Sequence, residues 1–293
     1  MSPTPHHPDA ATGADEPNAL SMIGGGRMAL ALADGFCRAG LATGTDMTVF
    51  DPDDAARTRL AAAVPGIRFV RDAAAAAAAA GLVFLAVKPQ QAAAACLAAA
   101  PGLRPGTTVV SIVAGLTTST LAARLGTSRV IRVMPNTPCL VGRGVSAVCA
   151  TPDVPAADRA RLVRLLGAVG HVHEVDEHLM DAVTGLSGSG PGFVARFVEA
   201  LAAGGRASGL PAPLALALAV ETVAGTGALL EATGEPPETV RERVTSPGGT
   251  TLAGLALMDA RGVPEAIAAA VTAAAARAAE LGAASTAPTA SAV

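Results

Sequence analysis

The chain of 293 residues has no Trp, no Tyr, six Phe and a single lysine, Lys88, set against 20 arginines. Charged residues make up only 15% of it, while 51% are apolar. A disordered chain would show the opposite balance, so a packed core is expected. Alanine dominates the apolar count and carries the mean hydropathy of +0.46 without adding bulky side chains. The net charge of −3 provides no field that would draw nucleic acid or an anionic membrane. Four scattered cysteines with no C-x-x-C spacing exclude a disulfide framework and read as reduced, buried thiols of a cytoplasmic protein. Residues 1–18 lack the basic and apolar regions of a secretory signal. The uncharged stretches 73–87 and 207–220 are too short and too rich in alanine for a bilayer span, so no membrane is expected as a partner.

What is present is alternation. Short β-branched runs at 20–23, 47–50, 67–70, 82–87, 108–112 and 130–134 predict strands. Alanine-rich runs at 28–39, 53–63, 73–80, 90–99 and 118–125 predict the helices between them. Strands alternating with helices imply βαβ units and a parallel sheet. Beyond residue 175 the strand signal stops. Long apolar helices follow, broken at SGSGP (187–191), GLPAP (209–213), TGEPP (233–237) and SPGG (246–249). The expected fold is therefore α/β: a Rossmann domain over 19–175, then an all-α domain over 176–283, with disordered tails at 1–18 and 284–293. Helices apolar around most of their circumference need a cover, which predicts a homodimer through the second domain.

Between the first strand and helix stands Gly24-Gly25-Gly26-Arg27-Met28-Ala29, a G-x-G-x-x-A turn. Gly24 permits the tight turn, Gly26 lets a pyrophosphate approach the backbone, and Ala29 lets helix and strand pack closely. Asp51, ending the second strand, suits the adenosine ribose hydroxyls and would repel a 2′-phosphate; a helix cap at Asp51-Pro52 is the competing reading. Arg57 and Arg59 follow on the next helix, where they could partly offset that repulsion. The fourth strand ends in Ala86-Val87-Lys88-Pro89, placing the only lysine where ligands bind in open α/β sheets. A solvated loop lysine is the alternative. Ser246-Pro247-Gly248-Gly249-Thr250-Thr251 can turn N–H groups and two hydroxyls toward one anion, against a plain interhelical turn. His171-x-His173 with His178 lacks a fourth ligand of fixed spacing and reads as an edge strand, so no metal is expected.

IGGGRMA (23–29), FLAVKPQ (84–90), RVMPNTPCLVGRG (132–144), DAVTGLSGSGP (181–191) and VTSPGGTT (244–251) together resemble the pyrroline-5-carboxylate reductase family, over about residues 20–282. The resemblance implies reduction of the C=N bond of 1-pyrroline-5-carboxylate to L-proline with NADP(H) or NAD(H). It also implies a dimer interlocked through the helical domain, in some members a decamer. It places cofactor at Gly24, Gly26, Arg27, Met28, Ala29, Asp51, Ala86, Val87, Lys88, Pro89, Ala114 and Asn136. Substrate falls to Glu177, Ser187, Ser189, Ser246, Gly249, Thr250 and Thr251, with Thr251 the candidate catalytic hydroxyl. The chain departs from the family pattern at Arg27 (often Asn), at Asp51 (Ser or Arg where NADPH is preferred), at Asp72-Ala73 (often N-E) and at Phe193 (Tyr). A related imine or hydroxy-acid reductase would favour a catalytic lysine in the helical domain, which this chain lacks. A binding-only relative would favour damaged SGSGP or SPGGTT segments, and both are intact.

Overall fold

The computed structural model describes residues 19–286. The apolar runs form strands and the alanine-rich runs form helices: β1 (Leu20–Ile23), α1 (Arg27–Arg38), β2 (Met47–Phe50), α2 (Asp54–Ala63), β3 (Arg68–Phe69), α3 (Ala73–Ala78), β4 (Leu82–Leu85), α4 (Ala92–Ala99), β5 (Thr108–Ser111), α5 (Thr118–Leu125) and β6 (Val130–Pro135). Two further strands, β7 (Gly144–Ala150) and β8 (Gly170–Glu174), flank α6 (Ala156–Gly167). The sheet order is β3-β2-β1-β4-β5-β6-β7-β8, parallel throughout except where β7 runs antiparallel to β6. The first six strands follow the Rossmann order, and the direction of winding reverses between β1 and β4.

Strands buried on both faces are mostly apolar, and β1, β4 and β5 are buried along their whole length, with the small hydroxyls of Ser21, Thr108 and Ser111 among them. On one face Met22, Leu32, Phe36, Leu60 and Phe84 form the core. On the other, Ala76, Ala77, Leu85, Cys96 and Leu121 do so. Small alanines bring α3 close to the sheet, and Asp72 caps it by accepting the Ala75 N–H at 2.7 Å. That N–H, with Arg71 beside it, holds the Asp72 carboxyl below the usual carboxylate range.

After β8 the described chain is helical: α7 (Met180–Val183), one π-helical turn at Thr184–Gly188, α8 (Gly190–Ala207), α9 (Ala212–Thr233), α10 (Pro237–Arg243), α11 (Thr250–Ala260) and α12 (Val263–Thr286). The last strand, β8, ends at Glu174. The compact units, however, divide elsewhere, one comprising Ser189–Ala274 and the other the chain before and after it. The sheet unit takes back the end of α12 because that segment is built of residues small enough to dock. Ala278 is buried, and a Cβ on Gly282 would stand 2.4 Å from the Gly115 carbonyl oxygen. The expected tail at 1–18 lies outside the described residues. Of the tail expected at 284–293, the backbone to Thr286 continues α12 and the rest lies outside them.

Within the helical unit α8 packs on α9 through small residues. Ala202, Ala215 and Ala219 are buried, and a Cβ on Gly205 would come within 3.2 Å of the Ala215 Cβ. Large apolar side chains on the same helices stay in water, among them Phe197, Leu214, Leu216 and Leu218, as does Ile267 on α12. By length and composition α9 and the 263–283 part of α12 are sufficient to cross a membrane, with mean hydropathies of 1.6 and 1.3. The uncharged stretch ending at Val220 underestimates α9 because the helix continues past Glu221.

Candidate active site

The turn after β1 can only be glycine at its first position. Gly24 has φ +103° and donates its N–H to Phe50 O at 2.8 Å. A Cβ there would lie 2.5 Å from the Ala86 carbonyl oxygen, so β1, β2 and β4 converge on a residue without a side chain. Gly26 is the N-cap of α1, and a Cβ on it would meet no protein atom within 4 Å. The space above it is the cradle a bound diphosphate needs, at a helix start that carries no acidic residue in its first turn. Ala29 is buried against the sheet, Met28 is half-buried, and exposed Arg27 has no hydrogen bond or ion pair among the described residues. These residues fit a dinucleotide.

Asp51 does something the sequence left open. The N-cap of α2 is Asp53, which accepts the Ala55 N–H at 2.9 Å. Asp51 instead turns back to the glycine turn: its Oδ2 accepts the Gly25 N–H at 2.6 Å and its Oδ1 the Asp53 N–H at 2.8 Å. Arg57 donates to the Asp51 carbonyl at 2.6 Å and pairs with Asp54. Past β4, the Ala86 N–H donates to Ile23 O at 2.8 Å. Half-buried Val87 and exposed Lys88 then lead into a short 3-10 turn beginning at Pro89. Ala114, half-buried, lies in the loop after β5 beside Gly115, whose φ is +82°.

Asn136 directly follows β6 and joins two segments far apart in sequence. Its Oδ1 accepts the Val145 N–H at 2.8 Å, while its Nδ2 donates to the Ser187 carbonyl at 3.2 Å and approaches Ser187 Oγ at 3.3 Å. The π-helical turn that delivers Ser187 sits tight on β6, since a Cβ on Gly188 would stand 2.4 Å from Met134 Cε. Such turns are frequent at functional sites, and nothing in the local spacing of TGLSG marks it. Glu177 is taken up inside the sheet unit: its Oε1 and Oε2 accept the Thr118 N–H and hydroxyl, each at 2.6 Å. Buried Arg132 lies 3.6 Å from the same carboxylate and 3.2 Å from Asp181. A half-open cavity of about 510 Å³ lies here, lined by Thr118, Cys149, Arg159, Glu174, Asp176 and Glu177, and none of the expected cofactor residues line it.

In the helical unit Ser189 is the N-cap of α8. Gly249 is the N-cap of α11, after Gly248 with φ +70°. The Gly249 N–H donates to Ser246 O at 2.9 Å, and a Cβ on Gly249 would collide with Ser246 Oγ at 2.5 Å. The loop thus folds onto itself and opens an 11-residue helix with no acidic residue in its first turn, bearing the Thr250 and Thr251 hydroxyls. Ser246 and Thr250 are exposed and Thr251 is half-buried. Among the described residues no group of three His, Cys, Asp or Glu side chains is disposed to hold a metal ion.

Comparison with known proteins finds matches to two stretches of the chain. A family model for pyrroline-5-carboxylate reductase dimerisation matches residues 177–281, and one described as "NADP oxidoreductase coenzyme F420-dependent" matches 19–115. A pyrroline-5-carboxylate reductase from Synechocystis is 41% identical over 264 residues, covering 90% of this chain and 98% of the relative. The chain belongs to the pyrroline-5-carboxylate reductase family.

Members of that family from Pisum sativum and Pseudomonas aeruginosa are 36% and 38% identical, each over 89% of this chain and at least 95% of their own. The crystal structure of the Plasmodium falciparum reductase with NADP bound superposes with a TM-score of 0.83 at 28% identity, covering 91% of this chain and 99% of that one. The Coxiella burnetii reductase gives 0.82 at 30% identity, over 90% and 98%. The Rossmann and dimerisation parts of the family are therefore both present here. Sequence reasoning alone missed three features: the Asp51–Gly25 bond, the Arg132 pairs and the π-helical turn. The first two are side-chain directions and long-range pairings and the third is a backbone detail of one turn, and none leaves a local pattern.

Proposed function

We propose that this chain reduces 1-pyrroline-5-carboxylate to L-proline with NAD(P)H. The observation that carries this reading is full-length identity of 41% to a named reductase, with the SGSGP and SPGGTT segments intact. When bound, the dihydronicotinamide supplies the hydride. The residues of this chain bind and orient. The glycine turn and the start of α1 hold the diphosphate, and Lys88 and Asn136 stand at the carboxyl ends of β4 and β6. Ser246, Gly249 and Thr250 take the substrate carboxylate at the start of α11, and the Thr251 hydroxyl serves the ring nitrogen. A protonated imine is already electrophilic, so positioning and exclusion of water supply most of the rate. Asn136 and Glu177 act as positioning residues, because their polar atoms are bonded to protein.

The functional unit is a homodimer in the cytoplasm. Burying a Leu or Phe side chain is worth about 1.5–3 kcal/mol, so the exposed apolar rows of α8, α9 and α12 call for a cover. The match of the dimerisation model to 177–281 favours a second copy over a bilayer. The resemblance extends to decamers in some members, which light scattering of the purified protein tests directly. The activity is tested by following cofactor oxidation at 340 nm with 1-pyrroline-5-carboxylate. Turnover supports the reading; a folded dimer that oxidises neither NADH nor NADPH overturns it.

A further inference from the structure

The corner where β2 meets α2 carries its own anion. Both Asp51 carboxylate oxygens are fixed by main-chain donors, Oδ2 by Gly25 N–H at 2.6 Å and Oδ1 by Asp53 N–H at 2.8 Å. These are the N–H groups that an incoming phosphate would otherwise use at the end of β2. A carboxylate offers about four lone-pair sites, and two remain to accept hydroxyl protons. The cation best placed to answer a phosphate is occupied as well. Arg57 Nη1 donates to the Asp51 carbonyl at 2.6 Å, and its Nη2 is paired with Asp54. Arg59 is turned to Asp53 at 3.8 Å. Three carboxylates thus face two guanidinium groups, each of which has a carboxylate partner.

We propose that this corner selects the dinucleotide without a 2′-phosphate, so that the enzyme works with NADH in preference to NADPH. Asp51 is the specificity residue: it accepts from the adenosine ribose hydroxyls and repels a phosphate. Asp54 is a positioning residue that holds Arg57 away from that phosphate. The inference rests on the dinucleotide reading above, though not on the identity of the imine substrate. It runs against the NADP bound in the Plasmodium falciparum relative, whose chain is 28% identical to this one.

Direct titration separates the two readings, because it needs no substrate. NADH and NADPH are each titrated into the purified protein, and Kd is read from nicotinamide fluorescence or calorimetry. The wild-type chain is expected to bind NADH at least about tenfold more tightly, as a like-charge contact in a partly screened site demands. Asp51→Ser is expected to close or reverse that ratio. The isosteric Asp51→Asn, which keeps the side-chain shape, should shift it in the same direction. Asp54→Ala should tighten NADPH by several-fold as Arg57 is released. Equal or tighter binding of NADPH by the wild type overturns the proposal. So does a ratio that neither Asp51 variant moves, or a failure to bind either dinucleotide. Tight NADH binding without turnover of 1-pyrroline-5-carboxylate upholds it while removing the reductase reading.

Discussion

Arg132 reaches Asp181 at 3.2 Å from a buried position in the middle of β6, and the same guanidinium lies 3.6 Å from Glu177. Glu177 in turn fixes the first residue of α5 through Thr118. One cation therefore ties β6, the start of α5 and the entry to α7, and α7 leads into the π-helical turn that meets Asn136. The acids are about one-third exposed and the arginine is not.

That asymmetry sets the cost of breaking the cluster. Asp181→Ala leaves a buried guanidinium short of a counter-charge and should cost roughly 2–4 kcal/mol, seen as a lower urea midpoint. Arg132→Met leaves two partly solvated carboxylates and should cost less. Equal losses for the two variants would mean the pairing contributes nothing beyond packing.

Gly24 and Gly26 make opposite predictions although both belong to the same turn. At Gly24 the backbone is left-handed and a Cβ meets the Ala86 carbonyl, so Gly24→Ala should lower Tm by several degrees as well as abolish dinucleotide binding. At Gly26 there is open space, so Gly26→Ala should leave Tm near its starting value. It should still weaken the dinucleotide by about tenfold or more, by filling the cradle. A scan of Tm against Kd for the two variants checks both.

The cysteines predict a pH dependence. Burial, with the Glu177 charge adding to it, pushes the Cys149 thiol up to about 11, and burial raises Cys37, Cys96 and Cys139 as well. A raised thiol favours the folded state while it stays protonated. The contribution of Cys149 is therefore complete below about pH 9, its unfolded range, and is lost as pH climbs through about 11. Iodoacetamide at pH 8 should label Cys37, the one cysteine that is not buried, well before the other three. Fast labelling of Cys149 would show that its surroundings open in solution.

Much of the sheet was legible because its strands are short apolar runs between glycine and alanine punctuation. β1 and β2 occupy the positions the pattern gives. β7, GVSAVCA, was not expected: its residues are small and its alternation weak, and it pairs antiparallel with a strand it follows directly. α6 also escaped, since it opens behind Pro155 with charged residues on most of one side. At the site, glycines and motif order are readable because they are backbone requirements. The Asn136–Ser187 bond spans 51 residues, and the direction of the Asp51 carboxylate depends on which N–H groups the folded chain brings near it. Neither leaves a trace in local spacing.

Thr251 tests the chemistry apart from the fold. It lies in the first turn of α11, half-buried, with no side-chain hydrogen bond among the described residues. Its hydroxyl is therefore free for a ligand, and removing it should not disturb the helix. Thr251→Ala is expected to lower kcat/KM for 1-pyrroline-5-carboxylate by about 10- to 1000-fold, with Tm and dinucleotide Kd unchanged. If the hydroxyl serves the ring nitrogen only as the hydride arrives, kcat falls and KM holds. If it merely helps to bind the ground state, KM rises alone. Thr251→Ser, which keeps the hydroxyl and drops the methyl group, should recover most of the activity. A Thr251→Ala enzyme with near-normal kcat/KM would leave proton handling to solvent and reduce the SPGGTT loop to a carboxylate clamp.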